Sequence, residues 1–186
     1  MRILASDSTN LYIQMEESLD IDTYQVRTQE THPEGFEFFR GLGIVGYERT
    51  FKLWLRKFPR PVFLAAVRGR EMLSWIFVEE STEPARDGFP VFVLRAVETL
   101  PGLRRRKIGY RLLLLACAQV TGYLLVKPLT RDAHRFFSQA GFSELEGMPQ
   151  PPVPPSRVPG YLALLPSARE TLVSTIPAHF TSIVRP

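Results

Sequence analysis

The chain has a single cysteine, three histidines and no long apolar run in its 186 residues. One thiol, Cys117, excludes an internal disulfide and any multi-cysteine metal site, and it fits a reducing compartment. Cys117 stands among leucines in a helical stretch, the setting of inert packing rather than of a nucleophile. His32, His134 and His179 are scattered without zinc-ligand spacing, so no metal is expected. The most apolar window, residues 112–126, is interrupted by Gln119, Thr121 and Gly122 and is too short to cross a bilayer. Residues 1–17 are polar and lack the pattern of a secretory leader. A soluble, cytoplasmic protein without a membrane partner is expected.

What is present is an ordinary globular composition, 45% hydrophobic and 23% charged. That length predicts one domain over residues 1–186, able to bury a full core. The net charge of +4 favours anionic ligands or surfaces without choosing among them. The prolines gather late, where residues 148–160 read as a stiff, polyproline-like connector before a last strand at 161–165. A short helix and a tail are expected over 166–186.

Residues 91–97, Val-Phe-Val-Leu-Arg-Ala-Val, form a near-continuous apolar and β-branched run between Pro90 and Pro101, as in a strand buried on both faces. Upstream, 62–67 and 72–78 flank Arg68-Gly69-Arg70-Glu71 and predict a hairpin, so three antiparallel neighbours are expected. Downstream, a helix from Arg104 to Gln119 leads past Gly122 into a strand over 122–126, a parallel neighbour reached by a right-handed crossover. The periodic aromatics of 34–58 predict two short helices broken by glycines. They read as a layer covering the sheet. Residues 24–28 alternate like an edge strand.

The helix after the central strand begins in an unusual way. No Ser, Thr, Asp or Asn stands between Leu100 and Lys107 to cap its amides. Arg104, Arg105, Arg106 and Lys107 instead oppose the positive end of its dipole, at roughly 0.3–1 kcal/mol each. A docked phosphate resolves both anomalies; a solvated or nucleic-acid-binding basic patch is the other reading. Leu103, Ile108 and Leu112 surround the patch, and no exposed aromatic is interleaved for stacking bases, so nucleic acid is not expected as a partner.

Two segments carry a family resemblance. Arg104-Arg105-Arg106-Lys107-Ile108-Gly109 after a strand and before a Leu-rich helix resembles the acetyl-CoA motif of the GNAT N-acetyltransferase superfamily, [Q/R]-x-x-G-x-[G/A], with Lys107 in place of the middle glycine. Residues 130–142 are similar to the family's N-x-x-A-x-x-F-Y-x-x-x-G-F helix, matching at Ala133, Phe136, Gly141 and Phe142, with Thr130 for Asn and Phe137 for Tyr. The resemblance implies a mixed α+β fold: a mostly antiparallel sheet flanked by helices, with a splayed parallel strand pair that admits acetyl-CoA as acyl donor. It implies a pyrophosphate held by Arg104, Arg105, Arg106, Lys107, Ile108, Gly109 and Tyr110. Pantetheine would lie by Val97 and Thr99, and Thr130 and Phe136 would complete the site. For residues 34–58 the resemblance implies a part in an acceptor site instead of a covering layer. The implied activity is acetyl transfer to a small-molecule or peptide primary amine by direct attack, with an N–H near Val97 as oxyanion donor, in a monomer or oligomer. The family's strand carboxylate has no counterpart within 91–97, which leaves Glu98, or Glu79 and Glu80, as candidate bases. Phe137 cannot protonate a thiolate, and Tyr110, Tyr123 and Tyr161 are the possible substitutes. The alternative is a degenerate module that binds CoA or nucleic acid and catalyses nothing.

Overall fold

The computed structural model describes residues 1–177 and Phe180. The strands are β1 (Arg2–Ser6), β2 (Leu11–Met15), β3 (Val62–Arg68), β4 (Glu71–Glu80), β5 (Val91–Thr99), β6 (Tyr123–Val126), β7 (Ser143–Glu144) and β8 (Leu162–Leu164). They form one eight-stranded sheet in the order β1-β2-β3-β4-β5-β6-β8-β7. Every pairing is antiparallel except β5 with β6. The helices are α1 (Tyr47–Trp54), α2 (Ile108–Gln119), α3 (Arg131–Gln139) and α4 (Pro166–Ser174). His179 and the end of the expected tail, at 178–179 and 181–186, lie outside the described residues.

One face of the sheet packs against α2 and α4 through Leu64, Ile76, Leu94, Leu112, Leu113, Leu124 and Leu172. The other face carries an aromatic core in which Trp75 meets Phe36, Phe39, Tyr47, Phe51 and Phe63. Most aromatics of 34–58 therefore cover the sheet, on a 3-10 turn (Phe38–Leu42) and on α1. Cys117 is fully buried in α2, and burial pushes its thiol up to about 12, so it is inert at neutral pH.

Two local expectations are corrected, and one element was not anticipated. Residues 24–28 make only isolated bridges, Gln25 to Glu71 and Thr28 to Phe36. The polar start of the chain is a hairpin, β1 and β2, turned where Asp7 Oδ1 accepts the N–H groups of Thr9 and Asn10. The signal was the turn-forming Asp7-Ser8-Thr9-Asn10 between two short runs. Finally, α2 begins at Ile108, so Arg104, Arg105, Arg106 and Lys107 belong to the loop before the helix.

Candidate active site

The site arises where β5 and β6 part company. Their parallel pairing runs from Val91–Tyr123 to Leu94–Val126 and stops there. Gly122 immediately precedes β6 with φ 104°, and a Cβ there would lie 2.3 Å from the Pro90 carbonyl oxygen, so only glycine admits this approach. On the other edge of β5 the register with β4 slips between Phe77–Ala96 and Val78–Leu94, leaving Arg95 as a bulge residue. Beyond it Leu100 N–H donates to Leu73 O on β4. Alternation along the strand therefore turns the amides of Val97 and Thr99 away from β4, into the opening that β6 has left.

A groove of about 690 Å³ continues from this opening between α2 and α3. Its walls include Val97, Thr99, Ile108, Gly109, Tyr110 and Phe136. Arg104, Arg105 and Lys107 stand at its rim. Arg105 and Lys107 are the two non-glycine residues with positive φ among the described residues, at 65° and 62°. Left-handed backbone costs such residues roughly 1–2 kcal/mol each, and it is the conformation from which anion-binding backbone nests are built. The first helical bond of α2 is Arg111 N–H to Lys107 O, so the amides of Ile108, Gly109 and Tyr110 form its positive end. Lys107 occupies the family's middle glycine position, and its φ shows why glycine suits it. Gly109 allows α2 to sit close to β5: a Cβ would be 3.1 Å from Thr99 Oγ1, which shares a 2.7 Å hydrogen bond with Ser74 Oγ.

Two sequence-predicted residues lie elsewhere. Arg106 lines a separate pocket with Asp7, Asn10, Arg68 and Arg111 on the other side of the loop. Thr130 caps α3, its hydroxyl oxygen accepting Ala133 N–H at 3.1 Å. Leu103, Asp132, Ala133, Phe137 and Gln139 also reach the groove. Of these, Asp132 and Gln139 left no signal beyond their helical phase with Phe136.

Of the three candidate carboxylates, Glu80 is exposed at the end of β4, while Glu98, which reaches the groove, and Glu79 are engaged. Glu98, 5% exposed, accepts Glu37 N–H and Phe38 N–H on Oε1 and the Tyr47 hydroxyl on Oε2. Burial raises its pKa against the pull of those donors. Glu79 sits at the bulge, paired with Lys57 and with Arg95 Nε at 2.9 Å, and does not line the groove. Burial alone would raise its pKa, but the two cations outweigh this and hold it low. Tyr123 donates to Asp87 at 2.5 Å, away from the groove, whereas Tyr110 stands in it, edge-on to Phe136. Among the described residues no group of three or more His, Cys, Asp or Glu is placed to hold a metal, and no helix is long and apolar enough to cross a membrane.

No family model matches the chain, and no curated protein matches its sequence. Solved structures match its shape. A Tyr-to-Phe variant of the AtaT toxin, bound to the C-terminus of the antitoxin AtaR and acetyl-CoA, superposes with TM-score 0.62 at 18% identity over 90% of this chain and 100% of that one. The KacTA–DNA complex gives 0.63 at 14%, over 89% and 98%. AtaT complexed with acetyl-methionyl-tRNAfMet gives 0.52 at 15%, over 88% and 98%. At these identities the likeness establishes the fold, which is that of the GNAT acetyltransferases to which the two motifs are similar.

These structures also correct the expected partners. A small-molecule or peptide acceptor without nucleic acid was the expectation, yet one neighbour holds DNA and another a tRNA. Around 104–111 the sequence places only cations and apolar residues side by side. The structure exposes further cations, and one bare aromatic ring, on the other face of the sheet.

Proposed function

We propose that the chain is an acetyl-CoA-dependent N-acetyltransferase whose acceptor is a primary amine carried by nucleic acid. An aminoacyl-tRNA is the example that the AtaT complex offers. The observation behind this reading is the pairing of left-handed Arg105 and Lys107 with the uncapped start of α2 at the mouth of the β5–β6 splay. That arrangement fits a diphosphate, and the groove behind it fits a long, thin pantetheine arm. When bound, acetyl-CoA supplies an acyl group activated as a thioester.

The chain's own residues then have distinct tasks. Arg104, Arg105 and Lys107, with the amides of 107–110, hold the diphosphate. Arg106 serves this charge from behind the loop. Val97 and Thr99 offer N–H groups to the pantetheine and to the carbonyl oxygen on which charge develops. Glu98 is a positioning residue that ties the end of β5 to residues 37–47. Glu79 stays ionised and orients Arg95 at the bulge. With Glu79 held by two cations and both oxygens of Glu98 occupied by three donors, the attacking amine loses its proton to water in the splay, and water reprotonates the thiolate where Phe137 replaces a tyrosine. A protein partner of antitoxin type belongs to the same reading, by analogy with AtaT and AtaR.

Lys107 and Phe137, two of the three departures from the family motifs, favour a second reading, a module that binds CoA without catalysis. Two measurements decide. Calorimetry with acetyl-CoA should show affinity that weakens as salt rises. Radiolabelled acetyl-CoA should label aminoacyl-tRNA at its amine. No heat at millimolar ligand and low salt overturns the cofactor site; heat without transfer to any aminoacyl-tRNA leaves the binding module.

A further inference from the structure

The segment after α1 reads Arg56-Lys57-Phe58-Pro59-Arg60, and all five residues are exposed. Phe58 is 96% exposed, the highest value among the large apolar side chains on the described surface. Its aromatic neighbours behave otherwise: Phe51 is fully buried, and Trp54 stacks on Phe77 at 4.2 Å and 14°. Leaving a phenylalanine in water forgoes the stabilisation that burial of its ring would supply. Arg49 and Leu53 on α1 are exposed at i and i+4, and Arg56, in the turn just past its end, is exposed beside them in sequence. Arg49, Arg56 and Arg60 make no ion pair among the described residues.

This patch adjoins the proposed chemistry. Lys57 pairs with Glu79, and Glu79 Oε2 accepts Arg95 Nε at 2.9 Å. Arg95 is the bulge residue two positions before Val97, and Val97 lines the groove. A chain lying across Phe58 is thus led toward the splay from the sheet face opposite α2.

We infer that residues 56–60 are a stacking platform for single-stranded nucleic acid, on which a base lies against the Phe58 ring while Arg56, Arg60 and Arg49 meet phosphates. The inference rests on the reading that the acceptor amine is carried by nucleic acid. Cations alone would serve an acidic peptide equally well; a bare ring between cations is what a base with a phosphate on either side requires. A membrane needs more apolar surface than Phe58 and the half-exposed Leu53 provide, since Phe51 and Leu55 are buried.

The test is fluorescence anisotropy with a short labelled single-stranded RNA that bears no aminoacyl group, with acetyl-CoA absent. Phe58→Ala should weaken binding roughly tenfold with the salt slope and unfolding midpoint unchanged, while Phe58→Trp keeps the affinity. Arg56→Gln and Arg60→Gln should each lower the slope of log affinity against log salt by about 0.7. Unchanged RNA affinity in Phe58→Ala overturns the platform. So does binding of phosphatidylserine vesicles or polyglutamate that needs Phe58 while RNA binding does not. No chemistry occurs in this assay, so its failure is separate from a failure of the transfer assay, which alone decides the acetyltransferase reading.

Discussion

The Tyr47 hydroxyl donates to Glu98 Oε2 at 3.0 Å, while Glu98 Oε1 takes the N–H groups of Glu37 and Phe38 at 3.0 and 2.9 Å. One buried carboxylate thus fastens the end of the central strand to a turn 60 and 61 residues earlier and to a helix 51 residues earlier in the chain. Tyr47→Phe deletes one donor to this buried group and should cost about 1–3 kcal/mol. Thermal unfolding should show a midpoint lower by roughly 2–10 °C.

The same carboxylate sets a pH dependence. Burial raises the Glu98 pKa above its ordinary 4.5, so the native state binds this proton more tightly than the unfolded chain does. Its contribution is fully present below that ordinary value and is lost as pH rises through the folded-state pKa. In Glu98→Gln the fall in stability over that range should flatten, as read from urea unfolding at several pH values.

Asp7 behaves in the opposite sense. Burial acts to raise its pKa, but hydrogen bonds from Thr9, Tyr12 and Asn10 prevail and bring it from 3.8 down to about 2. Its stabilisation is complete above 3.8 and vanishes as pH falls toward 2, and at neutral pH it amounts to about 2 kcal/mol. Asp7→Asn should therefore be less stable than the parent at pH 7 by about that amount, with the gap closing on acidification. A gap that stays constant down to pH 2 refutes the assignment.

Lys107→Gly restores the residue that left-handed backbone prefers. Relief of strain should raise stability by roughly 1 kcal/mol, or about 2–4 °C in midpoint. Calorimetry should find acetyl-CoA still bound, with a shallower salt dependence because one cation is gone.

Gly109→Glu places a side chain against Thr99 Oγ1 and a negative charge beside the proposed diphosphate. Acetyl-CoA binding should fall below detection by calorimetry while far-ultraviolet circular dichroism stays that of the parent. Retained binding would show that the motif is assigned to the wrong residues.

The sequence by itself determined whatever depends on neighbours along the chain. The apolar run of β5 and the hairpin of β3 and β4 are local patterns that appear where expected, and the Leu-rich α2 follows them, beginning at Ile108 rather than Arg104. Only the tertiary structure decided the rest. Whether Arg104 and its neighbours begin a helix or precede one depends on backbone angles at Arg105 and Lys107, which composition does not encode. Glu98 is read as a candidate base in the sequence because its three donors come from Glu37, Phe38 and Tyr47, far upstream. Periodic aromatics predict burial for the whole segment 34–58, yet Phe58 lies just past the end of α1, where the helical phase no longer points it inward. Side-chain exposure, register slips such as the one at Arg95 and long-range hydrogen bonds are properties of contacts between distant segments, and no window along one segment contains both partners.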